Sequence, residues 1–276
     1  MLVDGSNLLF QMFYGMPARI IGKQGRPIQG TLGFVGALLK IIRKLQPTHL
    51  AVLFDGEAQN PRGELDENYK GNREDFSQLP EEETPFSQLP DVYAALDYLG
   101  ICHRETWECE TDDWMAAYAL GLGKDYQMTL MSQDSDFFQL ITENVSVLRY
   151  RGDQSVLCDP QYIRDKLYIE PSQYADFKSL TGDTSDNIRG ADKVGPKTAT
   201  VLMQQFGSLQ NLLENAEDIA KPSVRASIQA NTERLLRNQK LIRLEQKYPV
   251  PFTLDEMRFT YDGQTSNQVL TAIGVK

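Results

Sequence analysis

Acidic side chains stand at the ends of three short apolar runs in this sequence. Asp4, Asp55, Asp134 and Asp136 each lie at or shortly past the end of such a run. Short apolar runs are typical of buried strands, and the carboxyl ends of parallel strands form the edge of an α/β sheet where ligands bind. One aspartate in such a place is often a helix cap, but three strand ends together point to a shared site.

Two further groups of acids lie outside the strand ends. Glu110, Asp112 and Asp113 open a predicted helix, and Asp183 and Asp186 lie in a turn between two predicted helices. Each group has an ordinary structural explanation, because acids stabilise helix N-termini and Asp is common in turns. The alternative is that both groups join the strand-end acids in one cluster.

Nine carboxylates that converge cannot all remain ionised without bound cations. An all-oxygen ligand set suits Mg²⁺ or Mn²⁺ rather than Zn²⁺, and carboxylates holding two such cations are suited to phosphodiester hydrolysis. With only two His in the chain, a histidine-rich metal site is excluded and a Ser–His catalytic pair is disfavoured. The candidate metal ligands are Asp4, Asp55, Glu110, Asp112, Asp113, Asp134, Asp136, Asp183 and Asp186.

The elements that must position these acids alternate between strand and helix as far as about residue 160. This order predicts an α/β fold with a mostly parallel central sheet flanked by helices. We place an α/β region over 1–165 and a helical region over 166–276. Helices are predicted at 30–46, 92–99, 112–120, 171–180, 196–206, 209–213 and 231–247, and strands at 50–54, 127–131 and 145–148.

The segment 56–91 is strongly acidic, with ten acids against three bases. It contains the tandem repeat Phe-Ser-Gln-Leu-Pro, at 76–80 and again at 86–90. A long polar connection between a strand and a helix is either a solvated loop or a binding element. Both alternatives remain open for this segment: a solvated loop, or a gate for a substrate.

Residues 190–250 have the opposite balance, with nine bases against six acids, in a chain whose net charge is −10. Gly195 would let the backbone approach a phosphate closely, and the amides of a helix starting at Pro196 would point at that phosphate. Lys193 and Lys197 add positive charge. Contacts to phosphates without base readout recognise the structure of a nucleic acid rather than its sequence.

The composition limits where the protein acts. Its 276 residues, 41% hydrophobic and 24% charged, are typical of a soluble globular protein of one or two domains. The longest apolar runs fall far short of the ~20 residues of a membrane helix, and the N-terminus has no signal-peptide pattern. Three Cys match no zinc motif. We therefore expect a cytoplasmic protein with no membrane association.

Seven segments, in order along nearly the whole chain, resemble motifs of the 5′-nuclease (flap endonuclease) family. This family occurs at the N-terminus of bacterial DNA polymerase I and as stand-alone 5′–3′ exonucleases. Each segment alone is a weak signal, whereas seven in register are a strong one. They are Leu-Val-Asp-Gly-Ser-Asn at 2–7, Pro-Thr-His-Leu-Ala-Val-Leu-Phe-Asp at 47–55, Tyr-Lys-Gly-Asn-Arg at 69–73, Glu-Thr-Asp-Asp at 110–113, Ser-Gln-Asp-Ser-Asp at 132–136, Leu-Thr-Gly-Asp-Thr-Ser-Asp-Asn at 180–187 and Gly-Ala-Asp-Lys-Val-Gly-Pro-Lys-Thr-Ala at 190–199.

The resemblance implies a PIN-like fold with a helix–turn–helix that binds duplex DNA, and it implies residue roles. A first metal group would comprise Asp4, Asp55, Glu110, Asp112 and Asp113, and a second Asp134, Asp136, Asp183 and Asp186. Lys70 and Arg73 would stand at the base of a helical arch and draw the scissile phosphate toward the metals, while Tyr69 would stack on a base. DNA would be bound by Lys193, Gly195, Lys197 and Thr198.

The activity implied is that of a Mg²⁺-dependent, structure-specific 5′ nuclease, both 5′–3′ exonuclease and 5′-flap endonuclease, for primer removal and repair. The resemblance further implies two or more Mg²⁺, replaceable by Mn²⁺, a K⁺ at the helix–turn–helix, and branched or 5′-ended duplex DNA or RNA–DNA hybrids as partners. We expect a stand-alone monomer that works at the bacterial nucleoid. Gln11 departs from the basic residue often found at that position in the family, which would remove one phosphate contact.

Two rival functions remain at this stage. One is a protein that binds branched DNA without cutting it, and the other is a PIN-type ribonuclease, which shares clustered acids on a similar sheet. The full set of carboxylates argues against the first, and the 190–199 segment argues against the second.

Overall fold

A six-stranded sheet forms the centre of the computed structural model, which describes residues 1–23, 25–56, 62–63, 65–72, 76 and 79–276. The strand order is β3-β2-β1-β4-β5-β6, and only β6 runs antiparallel to its neighbour. The predicted α/β class with a mostly parallel sheet is therefore confirmed. The strands are β1 (Leu2–Asp4), β2 (Ala51–Phe54), β3 (Cys102–Glu105), β4 (Met128–Met131), β5 (Val145–Arg149) and β6 (Val156–Cys158), with a separate hairpin of β7 (Gly182–Asp183) and β8 (Ile188–Arg189).

Helices cover both faces of the sheet and make up most of the chain after residue 160. They are α1 (Gly5–Gly15), α2 (Gln29–Leu45), α3 (Leu89–Tyr98), α4 (Thr111–Leu122), α5 (Pro160–Leu167), α6 (Tyr174–Thr181), α7 (Pro196–Phe206), α8 (Leu209–Glu214), α9 (Pro222–Ala230), α10 (Thr232–Ile242) and α11 (Ser266–Ala272). Of the helices that the structure describes, none combines the length and the apolar character needed to cross a bilayer.

The two faces of the sheet belong to two separate apolar cores, as the alternation of side chains along a strand requires. Leu53 of β2 packs in the core with α4, whereas Val52 and Phe54 pack in the core with α1, α2 and α3. All four residues of β2 are buried. Strands buried on both faces form continuous apolar runs, so β2 could be predicted from the sequence. The edge strand β3 reads Cys-His-Arg-Glu and is half exposed, so no apolar run marks it.

The helical region packs directly on the sheet. The core cluster on the α4 face contains side chains from α6, α7, α8 and α9 as well as from β1 and β4. At the junction, the rings of Phe138 and Tyr174 meet edge to face at 5.3 Å. The helices that follow residue 170 therefore have a fixed position relative to the strand ends.

The predicted helix over 231–247 ends early. In the structure α10 stops at Ile242, and Arg243 adopts an extended conformation with ψ of 122°. Gln139 explains the break, because its side chain accepts a hydrogen bond from the Leu244 amide at 2.9 Å and donates one to the Ile242 carbonyl at 3.0 Å. A tertiary contact from the β4–β5 connection thus overrides local helix propensity.

The tandem repeat has a structural explanation within the described residues. Phe76 and Phe86, the first residues of the two repeats, meet edge to face at 5.6 Å. Each ring also meets Phe10 of α1 edge to face, at 5.6 and 5.5 Å. The repeat therefore supplies two matched aromatic side chains that fasten the acidic segment to α1. No helical arch occurs at 62–63 and 65–72, where the described residues form turns.

Removing the shared ring of this cluster should loosen the segment. Phe10→Ala loses its edge-to-face pairs with Phe76, Phe86 and Tyr14. It should lower the free energy of unfolding by about 1.5–4.5 kcal/mol, since each pair contributes roughly 0.5–1.5 kcal/mol. Limited proteolysis should then cut faster between residues 56 and 91. Tyr98→Ala removes an exposed ring at the end of α3 and should change neither quantity appreciably. Cleavage of the Phe10 variant at the wild-type rate would contradict the packing role.

Candidate active site

Three neighbouring strands bring the predicted strand-end acids to one edge of the sheet. β2, β1 and β4 lie side by side, with Asp4 paired in register with Leu53. Asp4 is the last residue of β1, Asp55 directly follows β2, and Asp134 lies three residues past β4. Asp4 is buried and accepts hydrogen bonds from the Asn7 amide at 2.9 Å and from the Ser132 hydroxyl at 2.8 Å. The position of this carboxylate is thereby fixed.

The N-terminus of α4 brings three more acids to Asp55. Glu110 is the N-cap residue, and its amide donates to Asp113 Oδ2 at 3.2 Å in a capping box. The Thr111 amide donates to Asp55 Oδ1 at 2.9 Å, so the acid that directly follows β2 also caps this helix. Asp112 lies in the first turn. The capping explanation and the cluster explanation therefore both hold, because the same hydrogen bonds that cap α4 assemble the acids.

The β7–β8 hairpin holds the last two acids. Asp183 lies in β7 and Asp186 in the tight loop, and both side chains are buried. Gly182 has φ of +80°, and a Cβ there would come within 2.5 Å of backbone atoms of β8 and Gly190. The hairpin brings these acids to Asp136, and one carboxylate oxygen from each of the three residues lies within 4.8 Å of the others.

Two basic residues that were not predicted as site residues lie inside the acid cluster. Arg62 pairs with Glu110, with Asp113 at 2.5 Å and with Asp112 at 3.6 Å. Lys178 of α6 pairs with Asp183 and, at 3.2 Å, with Asp136. Arg62 was one of only three bases in an acidic segment, which was the available signal, but nothing in the periodicity of α6 indicated that Lys178 faces the acids.

Two of the residues assigned to the arch, Tyr69 and Lys70, lie against the acid cluster. The Tyr69 ring is buried among Ala175, Ile188 and other apolar side chains, and its hydroxyl lies 3.4 Å from both Glu110 Oε2 and Asp186 Oδ2. With 9% of its surface exposed, Tyr69 is buried in this structure, and its stacking on a base stays a prediction. Lys70 pairs with Glu110, and its amide donates to the Asp186 carbonyl at 3.0 Å. Arg73 lies outside the described residues.

Burial and mutual repulsion perturb the acids of the cluster. Burial, and then repulsion from Asp55, raises the pKa of Asp4 well above its usual range. Burial likewise raises the pKa of Asp113 to about 6, although Arg62 opposes this shift. Burial and repulsion from Asp112 raise the pKa of Asp134 to about 6. Such clustered, upward-shifted carboxyl groups are characteristic of functional sites.

Asp183 is the exception among these acids. Burial disfavours its charge, but hydrogen bonds from Lys178 and Ser185 hold its pKa below the usual range. The Ser185 amide and hydroxyl donate to the same oxygen of Asp183, at 2.9 and 2.5 Å. Asp183 is therefore an ionised carboxylate at neutral pH.

Gln11, the departure from the family pattern, bonds within the protein. Its side-chain amide donates to the Tyr150 carbonyl at 2.7 Å, beside a second donor, Gln133, at 2.6 Å. The residue fastens α1 to the chain beyond β5.

The residues predicted to bind DNA lie at the start of α7. Gly195 is the N-cap, and no side chain in the described part of the chain caps this helix. Lys193 and Lys197 are exposed, and a Cβ at Gly195 would meet nothing within 4 Å. The shallow depression here is lined by Gly195, Pro196, Lys197 and Thr198. An uncapped, exposed helix N-terminus flanked by lysines is suited to a phosphate.

Two family models match the chain in succession. "5′-3′ exonuclease, N-terminal resolvase-like domain" matches residues 1–168, and "5′-3′ exonuclease, C-terminal SAM fold" matches residues 169–264. The bacteriophage T5 D15 protein co-crystallized with metal ions has a TM-score of 0.72 and 25% identity, with 88% of each chain covered. A T5 D15 flap endonuclease complex with DNA and metal ions gives the same values.

Curated relatives agree with the family models. Thermostable DNA polymerase I of Thermus thermophilus is 32% identical over 259 residues, which are 94% of this chain and 30% of that protein. DNA polymerase I of Rhizobium leguminosarum is 34% identical over 267 residues, covering 93% of this chain and 25% of that protein. The chain thus spans less than a third of the length of these relatives. The resemblance found in the sequence is confirmed: this chain belongs to the 5′–3′ exonuclease family of nucleases.

Proposed function

We propose that this chain is a Mg²⁺-dependent nuclease that recognises DNA structure, cutting 5′ flaps and degrading the 5′ ends of duplex DNA. The observation that supports this function best is the meeting of Asp136, Asp183 and Asp186, whose carboxylate oxygens lie within 4.8 Å of one another. These residues come from two distant parts of the chain. Only the fold brings them together, at the edge of the sheet that the other acids also occupy.

The residues present fit divalent cations. Metal–oxygen distances of about 2.0–2.6 Å place two ligand oxygens of one ion at most roughly 5 Å apart. The three carboxylate oxygens of this cluster lie within 4.8 Å of one another. Oδ1 of Asp136 is buried and accepts no hydrogen bond from the residues that the structure describes, although Lys178 Nζ lies 3.2 Å from it. The ligands are all oxygens, which favours Mg²⁺, with Mn²⁺ as a substitute. We propose the two metal groups named above as the ligand sets.

The chain's own residues would position the substrate. Bound divalent cations would supply an activated water and stabilise the charge on the leaving oxygen. Lys70 and Arg62 lie against Glu110 and can redirect their donors to phosphate oxygens, which charged donors bind strongly. Lys178 keeps Asp183 ionised and oriented. Five of the acids are buried, which would limit competing water around the reacting phosphate: Asp4, Asp113, Asp136, Asp183 and Asp186.

The helical region would hold the duplex. Lys193, Gly195, Lys197 and Thr198 present backbone amides and positive charge to one phosphate strand, and a K⁺ could bind with the phosphate there. Such contacts read no base edges, so selectivity would depend on the shape of the nucleic acid, and RNA–DNA hybrids would also be substrates. We further propose that the protein acts as a monomer on DNA at the bacterial nucleoid, in primer removal and repair.

Cleavage of a labelled 5′-flap duplex, in Mg²⁺ and in EDTA, tests this function directly. A Mg²⁺-dependent cut at or next to the flap junction is expected, with product carrying a 5′-phosphate. Single-stranded RNA of matched length should be cut far more slowly. Tight binding of the flap with no cut would favour a branched-DNA-binding protein, and preferential cutting of the RNA would favour a PIN-type ribonuclease.

Removing a single acid of the cluster should lower the rate of DNA cleavage without lowering the affinity for DNA. Asp183→Ala and Asp112→Ala should each lower flap cleavage at least roughly 100-fold, since even residues that only orient metal ligands contribute 10–100-fold. Affinity for flap DNA should change little, because the phosphate contacts at α7 remain. Asp165→Ala, an exposed acid on α5, should cut normally. Unchanged cleavage in either cluster variant would contradict the metal assignment.

The pH dependence of stability provides a second test. Burial and repulsion from Asp134 raise the pKa of Asp136 to about 8, against about 3.9 for an unfolded chain. Between these values the folded protein binds more protons than the unfolded one, so metal-free stability should fall as pH rises from about 4 to 8. Asp136→Asn has no charge to bury and should lose less stability over this range.

Thermal unfolding in EDTA and in Mg²⁺ at several pH values measures this effect. Mg²⁺ should raise the wild-type Tm more at about pH 8 than at about pH 5, because metal binding requires ionised ligands. It should raise the Tm of Asp136→Asn less at every pH. Asp165→Asn is the matched control and should behave as wild type. Equal pH slopes for wild type and Asp136→Asn would contradict the raised pKa of Asp136.

A further inference from the structure

Trp107 is the most exposed large hydrophobic side chain among the described residues, with 77% of its surface accessible. It lies in the β3–α4 connection between two residues that are almost completely buried, Thr106 and Cys109, each 1% exposed. Leaving an indole in water forgoes the stabilisation that its burial would give. Its exposure on a well-anchored loop therefore needs an explanation outside the packing of the chain.

The loop that carries Trp107 is fastened to the end of β2. The Thr106 amide donates to the Phe54 carbonyl at 2.8 Å, and the Thr106 hydroxyl accepts from the Gly56 amide at 3.1 Å. A Cβ at Gly56 would come 2.2 Å from the Thr106 carbonyl oxygen, so the two backbones are in close contact. The indole is thus presented on a rigid support, which lowers the entropic cost of binding through it.

This support lies at the carboxylate edge of the sheet. Glu105 pairs in register with Phe54, so Trp107 and Asp55 both continue past the ends of neighbouring strands. Three Cα–Cα steps keep the Cα of Trp107 within about 11 Å of that of Glu110. A nucleic acid whose phosphate reaches the acid cluster would pass this side chain.

We propose that Trp107 stacks on an unpaired nucleobase of the strand that is cut, close to the scissile phosphate. This inference rests on the proposed nuclease function. Acidic neighbours, Glu105 and Glu108, make phosphate contacts unfavourable here, whereas a neutral ring binds a base face without competing with the metal ions for the carboxylates. Since the Tyr69 ring is buried, Trp107 offers an open ring face that Tyr69 does not offer in this structure.

Intrinsic fluorescence reports on this contact directly. The chain has two Trp, and the other, Trp114, is partly buried against the core. In EDTA and at low ionic strength, adding a 5′-flap duplex should quench and shift the emission of the wild type. Trp107→Phe keeps a ring for stacking, so it should bind with similar affinity but without this spectral change. An unchanged wild-type spectrum at saturating DNA would overturn the proposal.

Affinity measurements give the size of the effect. Trp107→Ala should weaken flap binding between about 5-fold and 100-fold, the range found for base–aromatic stacking, with an unchanged Tm. Tyr126→Ala is the matched control, because Tyr126 is 49% exposed but lies before β4, at the opposite edge of the sheet. Equal affinities for the two alanine variants would overturn the stacking role.

A double-mutant cycle that combines Trp107→Ala with abasic DNA substrates distinguishes stacking on a base from other contacts. Abasic sites placed one at a time through the first flap nucleotides should weaken wild-type binding at one position, and Trp107→Ala should lose nothing further with that substrate. Additive losses at every position would contradict the proposal. If Trp107→Ala cuts with the wild-type kcat and KM, the stacking inference fails and the nuclease function stands. If the wild type does not cut flap DNA at all, the nuclease function itself fails.

Discussion

Repulsion among carboxylates gathered at one edge of the sheet is the constraint on which the rest of the structure depends. The β strands, the start of α4 and the β7–β8 hairpin deliver their acids to a largely buried place, where ionised groups repel one another strongly. The chain meets this constraint in two ways. Burial and repulsion raise the pKa values of some acids, such as Asp4 and Asp134, and internal cations pair with others, such as Asp112 and Asp183.

The two internal cations, Arg62 and Lys178, also link distant parts of the chain at the site. Arg62 comes from the segment after β2 and pairs with acids of α4, whereas Lys178 comes from the helical region and pairs with acids of the β4–β5 connection and the β7–β8 hairpin. Removing one partner of such a buried pair leaves an uncompensated charge, which is strongly destabilising. A divalent ion that enters the cluster takes over part of the same neutralisation. Metal binding and the positions of Arg62 and Lys178 are therefore coupled through shared carboxylates.

Features that depend on local sequence patterns could be predicted, whereas features that depend on contacts between distant residues could not. The strands and their terminal acids were predictable because buried parallel strands form apolar runs, and Asp4 and Asp55 follow such runs directly. The positions of Lys178 and Tyr69 depend on tertiary packing, which leaves no local pattern. The end of α10 at Ile242 is of the same kind, since a glutamine from another element determines it. The Phe-Ser-Gln-Leu-Pro repeat could be recognised in the sequence, but the contact of its two Phe rings with Phe10 could not be predicted.

The α/β region and the helical region are joined rigidly. A DNA duplex bound to the helical region would therefore lie at a fixed distance from the acids. Helix α6 carries Lys178 into the acid cluster and packs against α7, whose exposed N-terminus is the surface that we propose binds phosphate. Directly after α6, the chain forms the hairpin with Asp183 and Asp186 and then, from Gly190, the turn that leads to α7. No flexible linker lies between these elements, and one apolar core runs beneath them. A duplex held at α7 would therefore present its strand to the acids at a distance set by the fold. In a nuclease that makes no base-specific contacts, such a fixed distance is sufficient to select a cutting position by structure alone.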